Sequence, residues 1–440
     1  NIEFNKNSDT EILYELIINI GFEKTLKKIK GMFSIVFIDI FNKSIHTCRD
    51  HFGQKPLFYY LDKNKYIVST NINSIKELLE TPLELSIETS SEYLSTRGQI
   101  TPEFTFFKNI YSLEAGHYSI FNLNDLLLKK ERYFIVESLI EEKITFTEDD
   151  HLNKKLDYTL HEVVKDHMIS DAKVGVLLSG GIDSGLIYYY SKKNNQEIKS
   201  FSKECDGIEK IPNNYINKIV GNINQNYWTK ESKKSYLKKL VKYIKFGGRP
   251  APWGGGPNMM SLCKEARKND FKVLLGGDCA DEYTAGYEQS FDLLANNKDD
   301  LLALDHLCRS YDNNTESRFN TYQRNLRKRI KDSIPETEDS LLNFARITFS
   351  HNLEFFLQSC NLPNSDTFSM VESIELRNPY LDFRLISILL NCSSNLIIGD
   401  HFKKLTGKLA LKKLAKKTYA KSFPDKYFLE KEGTLNYSKY

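Results

Sequence analysis

The stretch VGVLLSGGIDSGLI, from Val174 to Ile187, limits what this chain can fold into more than any other. Val174, Val176, Leu177 and Leu178 read as a short buried strand. Ser179-Gly180-Gly181 reads as a turn with almost no side-chain bulk, where backbone N–H groups can converge on an anion. Helix is expected from Ser184 to about Tyr190, which sets the turn at a helix N-terminus, where spare amides and the helix dipole favour phosphate. Asp183 in such a nest would repel phosphate unless a cation joined them, which makes it a natural Mg²⁺ ligand. A ligand-free strand-to-helix turn is the plain alternative, and the run of hydroxyl, two glycines, acid and second hydroxyl weighs against it. No Lys follows the second glycine and no four-residue spacer separates the glycines, so this is not a Walker loop.

A chain of 440 residues is too long for one ordinary domain and long enough for two cores. A net charge of +3 supplies no global field for nucleic acid. Apolar runs such as Met32 to Phe37 fall far short of the roughly 20 residues that span a bilayer. The opening residues do not read as a signal peptide, and the sequence starts at Asn1 rather than Met, which leaves room for a missing N-terminus. Cysteines at 48, 205, 263, 279, 308, 360 and 392 form no CxxC pair and read as reduced thiols of a cytoplasmic protein, not as a zinc site.

The first third reads as an α+β layer domain. Gly31 to Asp39, Ser44 to Cys48, Leu57 to Tyr60 and Tyr66 to Ser69 are strand-like, and Ile12, Leu13, Leu16, Ile17 and Ile20 recur at helical spacing. Tyr93 to Phe121 is expected to finish the same sheet, and the polar stretch 122–150 reads as linker. Beyond it, helices are expected at Leu152 to Met168 and around Asn214 to Ile223, with strands at Lys199 to Ser202, near Tyr227 and at Lys272 to Leu275. That alternation implies a doubly wound parallel sheet with ligands at the carboxyl ends of its strands. The expected domains are 1–135 and 148–425, with 426–440 as a tail.

Lys272 to Leu275 runs into Gly276-Gly277-Asp278-Cys279-Ala280-Asp281-Glu282. Three acids behind a glycine pair form a compact cation site, in which Asp281 can share Mg²⁺ with Asp183; a charged helix start is the plain alternative. Arg249 to Asn258 (RPAPWGGGPN) is either a substrate-pocket wall or an irregular crossover, and Ser290 to Cys360 reads as helical packing. Lys403 to Lys417 reads as a basic helix with Lys408 and Lys412 on one face, able to reach one anion or simply to face water.

Ser179 to Ser184 resembles the SGGxDS pyrophosphate loop of N-type ATP pyrophosphatases, which split ATP between the α and β phosphates to adenylate a substrate. SDTEIL (Ser8 to Leu13), GMFSIVFID (Gly31 to Asp39) and RDHFGQKPLFYY (Arg49 to Tyr60) resemble the back half of the glutamine amidohydrolase domain of the asparagine synthetase family. Gly276 to Glu282 resembles that family's LSGEGSDE loop, with Tyr283 to Tyr287 matching its continuation. Asp366 to Asp382 resembles its D-x-x-S-M…E-x-R-x-P-x-L-D segment, and Gly407-Lys408 with Leu411-Lys412 its K-x-x-L-R.

The resemblance implies an incomplete Ntn-hydrolase-like α+β domain followed by an α/β ATP pyrophosphatase domain. It implies that Leu178, Ser179, Gly180, Gly181, Asp183 and Ser184, with Gly276 and Gly277, hold ATP, and that Asp183 and Asp281 hold Mg²⁺. Lys408 would offset charge as an acyl-adenylate forms and collapses, and Asp278 would lie beside the reacting amino acid. Asp9 would help to hold glutamine, for which an ordinary helix cap is the alternative. Arg377 and Asp382 would be brought to the back of the active-site sheet. Asp278 in place of the family's glutamate argues against aspartate as the substrate, and Lys412 in place of arginine loses bidentate geometry. The nucleophilic N-terminal Cys, Arg and Asn-Gly that the family needs ahead of its SDxE segment are absent from this sequence, so glutamine hydrolysis by that route is not expected of it as given.

The expected function is an asparagine-synthetase-like ligase. It would adenylate a small-molecule carboxylate and form an amide with nitrogen from glutamine or ammonia. The alternative is an intramolecular cyclase, like β-lactam synthetases and lasso-peptide cyclases, with an inert glutaminase domain; a third reading is an inactive scaffold. Neither nucleic acid nor membrane is expected as a partner, and a homodimer is compatible with the reading.

Overall fold

The computed structural model describes residues 8–96, 98–203, 211–230, 233–251, 255–287, 317–401 and 404–429. The first domain contains β1 (Ser34–Asp39), β2 (Ser44–Arg49), β3 (Phe58–Leu61), β4 (Tyr66–Ser69), β5 (Ile110–Ser112), β6 (His117–Asn122) and β7 (Leu128–Arg132). These make two antiparallel sheets, β1-β2-β6-β7 and β4-β3-β5, where the sequence suggested one. The reason is that β2 and β6 are covered on both faces. Cys48 and Tyr118 pack with Ile17 and Phe22 of the helical layer, while on the other face Tyr66 of the second sheet stacks on Phe121 at 4.3 Å.

β7 corrects the linker boundary. Leu128 to Arg132 (LKKER) pairs with β6 from His117↔Arg132 to Phe121↔Leu128, so the first domain runs through part of the expected linker. Its charges belong to an edge strand, where they discourage further pairing.

The second domain is organised on β8 (Lys173–Leu177), β9 (Lys199–Lys203), β10 (Asn226–Thr229), β11 (Phe271–Leu275) and β12 (Glu375–Arg377), in the order β10-β9-β8-β11-β12. All four neighbouring pairs are parallel. Successive residues alternate between two cores: Val176 and Leu275 join one, Leu177 and Leu274 the other. Helices therefore cover both faces. Asp149–His167, Ile182–Asn194 and Leu409–Lys417 lie on the first, Gly255–Lys268 and Leu362–Met370 on the second. Gly175 is required at the centre of β8, because a Cβ there would come within 2.8 Å of the Phe201 ring.

One further expectation changes, and two others are described only in part. The basic segment does not begin as helix: Gly399–His401 and Lys404–Thr406 form a hairpin, and the helix starts only at Leu409. Residues 252–254 of the Arg249 to Asn258 loop lie outside the described residues, and Gly255 already opens the Gly255–Lys268 helix. The expected helical stretch after Ser290 is described from residue 317, as Arg318–Ser333 and Ser340–His351 followed by ten residues of π-helix, Asn352–Asn361. Of the expected tail, 430–440 lies outside the described residues.

Cys48, Cys263, Cys279 and Cys392 are buried free thiols, Cys360 is buried with its Sγ donating to Gly98 O at 3.7 Å, and Cys205 and Cys308 lie outside the described residues. No helix among the described residues is long and apolar enough to cross a membrane.

Candidate active site

β8 and β11 are neighbours at the centre of the parallel sheet, where the strand order turns back on itself, so the loops leaving their carboxyl ends face one another. Leu178 keeps the first loop tied to the sheet: its N–H donates to Phe201 O at 3.0 Å and its carbonyl accepts from Ser202 Oγ at 2.8 Å. Gly180 then turns with φ +85°, a conformation that suits glycine. Ser179 Oγ sits 3.0 Å from Ser184 Oγ and accepts from Gly181 N at 3.3 Å, which closes the turn. The Ile182–Asn194 helix begins at Gly181 with no side-chain cap.

The acid loop lies directly against this turn. A Cβ on Gly277 would stand 2.7 Å from Ser184 N, so the glycine permits backbone-to-backbone contact. Cys279 and Ala285 hold left-handed φ values of 72° and 57°, strain of a kind kept where the surrounding structure fixes the loop. Glu282 is buried beneath it, held through Oε1 by Tyr287 Oη (2.9 Å) and by Asn361 Nδ2, while Asn352 Nδ2 donates to its carbonyl at 3.2 Å. Burial, then the charge of Asp281, pushes the Glu282 carboxyl up to about 7.

Lys408 joins the two loops. Its backbone is left-handed at φ 58°, its N–H donates to Thr284 O at 2.6 Å, and a Cβ on the preceding Gly407 would lie 1.8 Å from Ala285 O. This docking is why the chain cannot be helical at 408. Nζ reaches Asp183 Oδ2 at 2.5 Å and Asp281 Oδ1 at 2.7 Å, with side-chain exposures of 12, 19 and 27% for Lys408, Asp183 and Asp281. Burial opposes the ammonium, but the two carboxylates outweigh it and raise its pKa. Lys408 is thus a half-buried cap on the helix rather than a member of a lysine face. Lys412 follows it, donating its N–H to Lys408 O at 2.8 Å.

Two carboxylates within hydrogen-bond reach of one ammonium nitrogen converge on a common point, as a shared cation requires. Among the described residues no cluster of three or more His, Cys, Asp or Glu could hold a metal by itself. A pair fits Mg²⁺, which commonly uses one or two carboxylates and completes its shell with phosphate oxygens and water.

Asp278 is exposed in the acid loop. Desolvation by the surrounding protein, with the charges of Asp281 and Asp183, raises its pKa, against a 3.3 Å hydrogen bond from Ser365 Oγ. Gly276 packs against Asn378 and Leu376. Asp9 stands apart in the first domain, exposed in the first turn of Asp9–Ile20, and Ser8 occupies the N-cap without a side-chain cap bond. Arg377 and Asp382 brace the fold: Arg377 Nη1 donates to His167 O and Ile169 O, both at 2.7 Å, and Asp382 caps Phe383–Leu390.

Several residues of the site carry no local sequence signal. Tyr380 Oη donates to Asp183 O at 3.2 Å, and Tyr419 Oη donates to Ile182 O at 3.3 Å while pairing with Tyr427 Oη at 2.9 Å. The Tyr419 hydroxyl is so close that a Cβ on Gly185 would meet it at 2.3 Å, which gives Gly185 its packing reason.

Comparison with known proteins divides the chain in a similar way. A family model described as "Asparagine synthase" matches residues 155–427, and one described as "Glutamine amidotransferase domain" matches residues 1–134. "Putative asparagine synthetase [glutamine-hydrolyzing] 2" of Methanocaldococcus jannaschii is 29% identical over 65% of this chain and 55% of its own length. "Asparagine synthetase [glutamine-hydrolyzing] 3" of Bacillus subtilis is 24% identical over 91% of this chain and 67% of its own. "Amidase chry2" of Gibberella zeae is 23% identical over 65% and 44%. The chain therefore spans about half to two thirds of these relatives.

Proposed function

Since the chain belongs to the asparagine synthase family, we propose that it is an ATP-dependent, AMP-forming amide ligase. The observation that carries this is the meeting of Asp183, Asp281 and Lys408 beside an open helix N-terminus at the centre of a parallel sheet. Mg²⁺ held by Asp183 and Asp281 would neutralise charge on the phosphates of ATP.

The loop Leu178 to Ser184 then receives the pyrophosphate end, its amides aimed at charge that grows as the leaving group departs. Gly277, by holding the acid loop against Ser184, sets both loops at one distance from the nucleotide. A carboxylate oxygen of the substrate attacks the α-phosphorus and the bond from that phosphorus to the pyrophosphate oxygen breaks. A nitrogen nucleophile next adds to the acyl carbon, the acyl–oxygen bond breaks, and AMP leaves with the electron pair. Lys408 balances negative charge in both steps. Asp278, with its raised carboxyl, faces the amino-acid side of the cleft and takes the proton that nitrogen gives up. The substrate is a small-molecule carboxylate, and the nitrogen comes from glutamine or ammonia, with Asp9 as the residue we assign to glutamine. Functional division into 1–135 and 148–425 and a cytoplasmic location are part of the same proposal.

The test is product analysis by ³¹P NMR after incubation with Mg·ATP, ammonium and a panel of small carboxylates, aspartate included. AMP and pyrophosphate formed with at least one carboxylate are expected. ADP and phosphate, or no turnover with any carboxylate, would refute the assignment.

A further inference from the structure

Between the two domains lies a cavity of about 70 Å³, room for about five groups the size of water. The first domain lines it with Phe58, Phe104 and Phe106, and the second with Phe246. No residue of the glycine turn or the acid loop borders it, so it is a place apart from the site described above.

Three charged residues line the cavity, and two of them are already compensated. Arg49 lies beside Asp50 and donates Nε to Lys55 O, Nη1 to Leu113 O and Nη2 to Gly53 O. Asp366 faces Lys55, whose Nζ is 3.7 Å away. Arg249 differs. Its Nη2 donates to Ser359 O at 2.9 Å and reaches Gly98 O at 3.5 Å, which fixes the guanidinium at the wall formed by Gln358 and Ile100. No carboxylate pairs with it among the described residues. A half-buried guanidinium whose partners are main-chain carbonyls keeps its full charge and attracts an anion, above all a planar one that accepts two N–H groups at once.

We propose that this cavity binds a small carboxylate with an apolar body, a branched-chain or aromatic acid, whose carboxylate pairs with Arg249 while its body packs among the four phenylalanines. A dianion such as aspartate is disfavoured, because Asp366 stands in the same cavity and Arg249 is the cation left to receive charge. A neutral amide of the same shape forgoes the Arg249 pair. The site does not depend on the ligase reading. The same chemistry serves an acid that is consumed and one that only regulates, and turnover separates the two.

Isothermal titration calorimetry with phenylacetate, without nucleotide, reads the site directly. Phenylacetate should bind with a Kd of about 1 mM or below, and phenylacetamide and aspartate at least about tenfold more weakly. Arg249→Met should weaken phenylacetate at least about tenfold, and Arg249→Lys should recover part of the loss. Thr70 lines the cavity from an exposed position, so Thr70→Trp should block it while melting as the wild type does. Phenylacetamide binding as well as phenylacetate, or phenylacetate affinity unchanged in Arg249→Met and Thr70→Trp, overturns the assignment. So does failure of phenylacetate, benzoate and isovalerate to bind at millimolar concentration. With Mg·ATP and ammonium, AMP formed from phenylacetate and lost in Thr70→Trp marks the acid as substrate. Phenylacetate that changes AMP formation from another carboxylate, in the wild type and not in Thr70→Trp, marks it as effector. Absence of AMP formation altogether counts against the ligase reading and leaves the binding result standing.

Discussion

Replacing Lys408 by Met removes the cation between two acids without emptying much volume. Asp183 Oδ2 and Asp281 Oδ1 each lie within 2.7 Å of Lys408 Nζ, so they stand no more than about 5 Å apart. Two unit charges at that separation repel by about 3 kcal/mol at an effective dielectric constant near 20. Partial exposure to water and proton uptake relieve some of this, leaving an expected loss of about 2 kcal/mol for the protein in EDTA. For a unit of this size that lowers the melting transition by about 4–8 °C. Mg²⁺ should restore much of the loss, because it replaces the missing cation. In the wild type it competes with a resident ammonium and should stabilise less. Differential scanning calorimetry of both proteins, in EDTA and in millimolar Mg²⁺ without nucleotide, reads the two effects. A variant as stable as wild type in EDTA, or one that gains no more from Mg²⁺ than wild type does, would refute the view that the two acids share one cation position.

Other perturbations test separate parts of the structure. Gly277→Ala places a Cβ 2.7 Å from Ser184 N and should cost about 1–3 kcal/mol and weaken Mg·ATP binding, measured by calorimetry. Glu354 is buried between Arg132 of the first domain and Arg329 of the second, so Glu354→Gln should destabilise by about 3 kcal/mol, seen in urea melts, and speed proteolysis near residues 133–148. His351 is buried and, through burial and then Arg327, its pKa falls from 6.5 to about 3. Below pH 6.5 the unfolded chain therefore binds a proton that the folded chain refuses. Stability is lost as pH falls, by about 2 kcal/mol at pH 5, and melts of His351→Gln should lack that part of the slope.

The glycine turn, the acid loop and the parallel sheet were legible because each is written locally, in strand-length apolar runs that end in residues suited to tight turns. The second antiparallel sheet was not, since short strands such as β5 carry no partner information and sheet membership depends on what covers the opposite face. β7 hid in a charged stretch because edge strands are charged. Lys408 was found by its motif, but its left-handed backbone comes from docking on Thr284 and Ala285, more than a hundred residues earlier in the chain. Tyr380, Tyr419, Asn352 and Asn361 reach the site from distant elements and have no pattern of their own in the sequence. The π-helical turn that carries the two asparagines follows a helix with an ordinary amphipathic pattern, so nothing in that pattern announces the change of pitch.

The central claim is that Asp183 and Asp281 serve one adenylating site. Exchange of radiolabelled pyrophosphate into ATP measures that step without the nitrogen donor. With Mg²⁺ and a carboxylate from the panel, the wild type should catalyse carboxylate-dependent exchange, and Asp183→Asn and Asp281→Asn should each lower it by at least a hundredfold while remaining folded. Exchange that persists in either variant, or wild-type protein that binds Mg·ATP yet exchanges with none of the carboxylates, would contradict the account.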